Sequence, residues 1–66
     1  MTATDHADEM EAAGRWVSRA REELDRAMTR AQERAVAAHA DGVPVTTIAR
    51  ALGVTRVTVY AWVRDQ

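Results

Sequence analysis

Few side chains in this 66-residue chain could carry covalent or metal chemistry. There is no Cys, and there are only two His, one Ser and three Gly. His6 and His39 lie too far apart in sequence to predict a shared metal site, and Ser18 has no general base near it. We therefore predict no catalytic residue, no metal site and no cofactor.

The charges of the chain divide it into two unlike halves. The formal net charge is −1, and all nine cations are Arg. Residues 1–33 carry five Arg against eight Asp or Glu, a net charge of −3, whereas residues 34–66 carry four Arg against two Asp, a net charge of +2. We expect the two halves to have different roles.

Two turns divide the second half into short helices. The run Asp41-Gly42-Val43-Pro44 predicts the end of a long helix, because Gly42 suits a left-handed position and Pro44 suits the first turn of the next helix. Gly53 permits the positive φ of a second tight turn, and Thr55 is a good N-cap for the helix after it.

Apolar residues between the turns recur at helical spacing. Ala49 is small enough for one helix to cross over it. The larger side chains that we expect to point inward are Ile48, Leu52, Val54, Val59 and Trp62. Together with Gly53, they predict two short helices packed across a tight turn.

The segment VTTIARALGVTRVTVYAWV, residues 45–63, resembles the bacterial helix-turn-helix DNA-binding domain. It is most similar to the C-terminal domains of resolvases and invertases and to small phage, plasmid or actinobacterial regulators. The resemblance covers Val36 to about Arg64. The sequence departs from the pattern at Pro44, where the family often has Ser or Thr, and in the small side chains of its first helix. A generic helical hairpin is the alternative interpretation.

The resemblance implies that the second helix of the pair enters the major groove of DNA. Arg56 would then bond bidentately with guanine, and Val57 and Ala61 would meet a thymine methyl group. Thr55 and Thr58 would bond a phosphate or a base edge.

Other residues would hold the DNA backbone. Tyr60 and Arg64 lie further along the same helix and are expected to contact phosphates. Thr46 and Thr47 open the preceding helix, where its dipole favours a phosphate, and Arg50 either contacts a phosphate or faces solvent.

The first half predicts one long helix from Glu9 to about Ala40. Its apolar residues follow a heptad pattern flanked by two larger side chains. The residues expected to mediate oligomerisation are Met10, Ala13, Trp16, Val17, Ala20, Leu24, Ala27, Met28 and Ala31.

We expect this apolar face to pack against a second copy of the chain, because so short a sequence builds only a small core of its own. An antiparallel pair is slightly favoured over a parallel one. In the alternative interpretation, the helix folds back onto its own C-terminal unit.

These observations predict an all-α fold with a flexible N-terminus (1–8), a long oligomerisation helix (9–34) and a tri-helical helix-turn-helix unit (35–66). The predicted function is a homodimeric transcriptional regulator that binds an inverted repeat in double-stranded DNA. The alternatives are an architectural DNA-binding protein of plasmid partition, recombination, excision or nucleoid organisation, and a protein-interaction module using the heptad helix. The polar N-terminus and the lack of a long apolar run predict a cytoplasmic, nucleoid-associated protein with no membrane partner and no small-molecule ligand.

Overall fold

The first helix, α1, is built from strong helix formers. The computed structural model describes residues 3–65, with side chains from Asp5, and α1 spans Ala3–Ala40, 38 residues. It begins earlier than the start at Glu9 suggested by the sequence. No Gly or Pro interrupts residues 3–9, and Asp5 lies in the first turn, where a carboxylate interacts favourably with the helix dipole. Residues 3–8 therefore continue the helix, and the rest of the flexible N-terminus expected over 1–8 lies outside the described residues.

The C-terminus of α1 is closed by backbone hydrogen bonds around a left-handed glycine. Gly42 has φ 90°, and its N–H donates to the carbonyl of His39 at 3.0 Å. The N–H of Val43 donates to the carbonyl of Ala38, also at 3.0 Å. This pair of bonds is a Schellman motif, which confirms the predicted role of Gly42 and turns the chain back toward α1.

The second helix, α2, spans Val45–Leu52. Pro44 is its N-cap, with φ −61° and ψ 144°, so it lies one position before the first turn in which the sequence placed it. The Pro44 carbonyl accepts from the N–H groups of Thr47 and Ile48 at 3.0 and 3.1 Å. Because a proline has no side-chain acceptor, the N-terminus of α2 has no side-chain cap.

The turn between α2 and the third helix repeats the Schellman geometry. Gly53 has φ 70° and donates to the carbonyl of Arg50 at 3.4 Å, while Val54 donates to that of Ala49 at 3.1 Å. The prediction that Gly53 adopts a positive φ is confirmed. This conformation reverses the direction of the chain within a few residues. A residue with a Cβ would adopt such a positive φ only under strain.

The third helix, α3, spans Arg56–Arg64 and begins at a side-chain cap. The N–H of Thr58 donates to Oγ1 of Thr55 at 3.1 Å, which confirms Thr55 as the predicted N-cap.

The core lies where the last turns of α1 meet α2 and α3. Ala35 and Val59 have no exposed surface, and Ile48 and Ala49 are 3% and 5% exposed. Small side chains at Ala35 and Ala49 let the helices approach closely. Residues that pack partly buried around this core are Ala38, Val43, Val45, Leu52, Val54, Trp62 and Val63. The inward direction predicted for Ile48 and Val59 is confirmed, whereas Leu52 and Trp62 are half-buried at its edge.

The molecule is a rod with a helical unit at one end. Its principal extents are 59 × 17 × 16 Å, because α1 continues far beyond the residues that α2 and α3 cover. Within the described part of the chain, no helix is both long and apolar enough to cross a membrane. The α1 helix has the length, but charged side chains occur along all of it.

Candidate nucleic-acid interface

The surface of α3 that faces away from the core forms a continuous stripe. Successive residues of an α-helix are rotated by about 100°, so Arg56, Tyr60, Arg64 and Val57 fall within an arc of about 100°. All four are exposed. The buried Val59 lies outside this arc, so α3 packs through one face and presents the other to solvent. The structure therefore brings these four predicted contacts onto one surface.

The exposed stripe combines two arginines with two side chains that present apolar surface. Val57 is 78% exposed and Tyr60 is 55% exposed, and these residues are neighbours on the helix surface. Arg56 stands beside them in the first turn and Arg64 in the last. Guanidinium groups at both ends of an apolar centre suit a surface that meets phosphates and base edges together.

Thr55 and Thr58 are hydrogen-bonded to each other at the start of α3. Their Oγ1 atoms are 2.9 Å apart, and Oγ1 of Thr55 also accepts the N–H of Thr58. One hydroxyl hydrogen is used within the pair, so the pair offers a single O–H to an external acceptor. Thr58 is half-buried and lies off the exposed stripe, while Thr55 is exposed. Contact of either residue with DNA stays a prediction.

The remaining predicted contacts lie on α2 and at the margin of α3. Thr46, Thr47 and Arg50 are exposed, and the first two open α2, where no side chain caps the helix. A phosphate would meet N–H groups and hydroxyls at this end. Ala61 is half-buried at the margin of the stripe, so less of its side chain is exposed for the predicted contact with a thymine methyl group.

Arg34 is a further cation that the sequence reasoning did not assign to this surface. In the structure Arg34 is exposed and lines the same shallow apolar groove as Thr47, beside the beginning of α2. The signal that could have revealed it is its place among the four Arg of the basic half.

The apolar seam of α1, the nine residues predicted to mediate oligomerisation, has no cover within the chain over most of its length. Met10, Trp16, Val17 and Leu24 are between 52% and 69% exposed, and Met28 is 37% exposed. The guanidinium carbon of Arg19 lies 5.5 Å from the centre of the Trp16 ring, which shields that indole only in part. The small members Ala13, Ala20 and Ala27 are exposed, and Ala31 is half-buried.

The groups that the candidate site exposes are guanidinium groups, hydroxyls and apolar side chains. Over residues 3–65, no group of three or more His, Cys, Asp or Glu side chains is placed to hold a metal ion. The same part of the chain contains no buried side-chain polar atom without a hydrogen-bond partner.

Comparison with known protein families agrees with this geometry. The model of a homeodomain-like domain matches residues 25–66, which is more than half of the chain. The match takes in the last turns of α1, all of α2 and all of α3, and it begins earlier than the resemblance noted from Val36. No curated protein and no solved structure matches the chain significantly.

Proposed function

The chain belongs to the homeodomain-like domain family of helix-turn-helix folds, and on that basis we propose that it is a sequence-specific double-stranded DNA-binding protein. It acts as a homodimer on an inverted repeat and serves as a transcriptional regulator. The observation that carries this proposal is the exposed stripe of α3, in which two cations flank two apolar side chains on one helix face.

In this proposal α3 lies in the major groove and its first turn reads the bases. Arg56 reaches O6 and N7 of a guanine, a geometry that the planar guanidinium fits with two parallel hydrogen bonds. Val57 meets the methyl group of a neighbouring thymine, which gives its 78% exposed side chain an apolar partner. Each such contact contributes about 1–3 kcal/mol to discrimination between bases.

The DNA backbone is held from both sides of the turn. Arg64 and the Tyr60 hydroxyl reach phosphates from the distal part of α3. Thr46 and Thr47 bond a phosphate at the uncapped start of α2, with the positive end of the helix dipole directed at it. These contacts fix the position of α3 in the groove without reading sequence.

A dimer supplies what one subunit lacks. The basic half has a net charge of only +2, so a single copy neutralises few phosphates and binds weakly at physiological salt. Two copies double these contacts and read two half-sites related by a two-fold axis. The exposed apolar seam of α1 is the surface through which the copies associate.

The test of this proposal is the sequence preference of Arg56→Ala. We expect the variant to lose about 1–3 kcal/mol at the preferred site and to accept other bases at one position of each half-site. Arg15→Ala is the matched control, because Arg15 is also an exposed arginine but lies on α1 in the acidic half. Both are compared with the parent chain by selection from a random duplex library and by fluorescence anisotropy.

An unchanged sequence preference in Arg56→Ala would remove Arg56 from the reading surface. If the parent chain binds no duplex even at low salt, the DNA-binding proposal itself is wrong. In that case the seam of α1 points instead to a protein-interaction module.

A further inference from the structure

We infer that the seam of α1 pairs with the same seam of a second copy in antiparallel orientation, with the two-fold axis between Ser18 and Arg19. This inference rests on the proposed homodimer and specifies its geometry. It fixes the residues that face each other and the distance between the two DNA-reading units.

One face of α1 is apolar without interruption over five turns. At about 100° per residue, every side chain from Met10 to Ala31 within an arc of about 120° is apolar. Outside that arc, the same stretch is polar or charged except for Ala12 and Gly14. A face so sharply bounded, with four large side chains more than half exposed, lacks its packing partner.

The same face is already used as a packing surface within the chain. It continues through Ala31, which is half-buried, to Ala35, which α2 and α3 cover completely. The uncovered seam is therefore a direct continuation of the core. A second helix laid on it would extend that core along the rod.

The sizes of the side chains select an antiparallel register. With the two-fold axis between Ser18 and Arg19, each layer of the interface places one large residue opposite an alanine, as in a well-packed core. The facing pairs, each occurring twice by symmetry, are Met10 with the partner's Ala27, Val17 with the partner's Ala20, and Leu24 with the partner's Ala13. At each end of the seam, Ala31 faces the partner's His6.

The charges at the edge of the seam agree with the same register. Glu9 comes beside the partner's Arg30, so opposite charges meet at both ends of the interface. Trp16 comes beside the partner's Glu23, and Arg21 beside the partner's Gly14, where a missing side chain leaves room for the long arginine stem. No like charges face each other along these edges.

The length of α1 also fits. In this register Ala3 of the partner subunit comes level with Arg34, one residue before the fully buried Ala35. The described part of the second helix thus reaches the point where α2 and α3 begin to cover the same face. Sliding it one heptad further would drive its first turns into α2 and α3. Sliding it one heptad back would bring Ala3 of the partner subunit level with Ala27 and leave Met28 and Ala31 without a facing residue of the described helix.

A parallel, in-register pair loses both the packing of large residues against alanines and the pairing of opposite charges. It would alternate layers of two large residues with layers of two alanines, which leaves voids between the large layers. It would set Glu9 beside the partner's Gly14 and Arg30 beside the partner's Ala35, with no opposite charges in contact. It would also bring the two acidic N-termini together.

The antiparallel geometry places the two reading units at opposite ends of a rod. At about 1.5 Å per residue, the two Ala35 residues lie about 50 Å apart along it. Half-sites one helical turn apart are separated by only about 34–36 Å. The inverted repeat that the dimer reads therefore has half-site centres more than one turn apart.

Spin-label distances in the full chain test this geometry. The chain has no native Cys, so Ser18→Cys and Thr29→Cys each give one labelling site, and both residues are exposed on the outer face of α1. In the antiparallel dimer the Ser18 labels lie level with each other, whereas the Thr29 labels are displaced by about 32 Å along the axis. Equal separations at the two positions would show a parallel pair and overturn the inference.

A charge-reversal pair provides a second measurement. Glu9→Arg should weaken dimerisation by about threefold or more, because it faces the partner's Arg30, and adding Arg30→Glu should restore the affinity. Failure of the second change to rescue the first would contradict the register. If the spin labels show no dipolar coupling in a chain that still binds DNA, the dimer is wrong but the DNA-binding proposal is not. If selection yields inverted repeats whose half-sites lie one helical turn apart, the predicted half-site spacing is wrong.

Discussion

Met28 and Ala35 lie one heptad apart on the same face of α1, and only Ala35 is covered. Ala35 has no exposed surface because α2 and α3 pack over it, while Met28 is 37% exposed. The apolar face thus passes from a folded core to open surface within two turns of one helix. This transition supports the proposed dimer, in which a second copy covers the exposed part of the face.

Replacement of Leu24 by Glu should dissociate that assembly. Leu24 is 59% exposed in the single chain and would be buried in each subunit of a dimer, so the change removes about 1.5–3 kcal/mol of apolar burial twice and adds two carboxylates. We expect sedimentation to show monomer for Leu24→Glu and dimer for the parent chain. Ser18→Glu, on the outer face of the same helix, should leave the dimer intact. Equal association of the two variants would exclude the seam as the interface.

Alanine substitutions at two glycines should have opposite effects on stability. Neither Gly53 nor Gly14 has an atom within 4 Å of an added Cβ, so sterics with neighbours do not distinguish them. Gly53 has φ 70°, and Gly53→Ala should cost about 1–2 kcal/mol of unfolding free energy. Gly14 lies within α1, and Gly14→Ala should add about 0.5–1 kcal/mol when it is introduced into the monomeric Leu24→Glu chain, where no partner's Arg21 lies beside it. Urea titrations at one protein concentration measure the free energy of unfolding of each variant. A Gly53→Ala chain as stable as the parent would show that the turn does not need its left-handed glycine.

Removal of the Thr55 cap should weaken α3 specifically. The Thr55 hydroxyl accepts the N–H of Thr58 and bonds its hydroxyl, so Thr55→Ala should cost about 1 kcal/mol. Thr55→Ser retains the acceptor and should restore most of that stability. Thr46→Ala, at the side-chain-uncapped end of α2, is the control and should change thermal stability little. A Thr55→Ala chain as stable as the parent would show that this cap contributes nothing in solution.

Arg64 should contribute to DNA affinity without contributing to specificity. If its guanidinium contacts a phosphate, Arg64→Ala lowers the slope of log affinity against log salt by about 1 for each such contact. The base preference obtained by selection should be the same as that of the parent. Arg26→Ala, an exposed arginine of the acidic half, should leave the slope unchanged. A changed base preference in Arg64→Ala would move this residue from the backbone to the base edges.

The turns and short helices could be predicted from sequence because their causes are local. Gly42, Gly53 and Thr55 act through their own backbone conformation or through a neighbour three residues away, and all three are confirmed. The start of α1 could not be placed, because residues 3–8 contain neither a strong breaker nor an apolar pattern that marks a boundary. The burial of Thr58 depends on how α3 is rotated about its own axis when it packs against the core, and the local sequence does not determine that rotation.

The candidate site divides in the same way. The exposed stripe of α3 followed from helical periodicity once Val59 was assigned to the core. Nothing in the sequence places Arg34 near Thr47, because the two residues come together only when α2 packs against α1. In the proposed dimer the partner of the seam is a second copy of the chain, and the fold of one chain leaves that surface exposed.

The most direct test of the central claim is selection of the full-length chain against a random library of duplex DNA at low and physiological salt. We expect an enriched inverted repeat whose half-sites each contain a guanine that loses its preference in Arg56→Ala, with half-site centres more than one helical turn apart. If the protein retains all duplexes of the library equally, or retains none, the assignment of α3 as a base-reading helix is wrong.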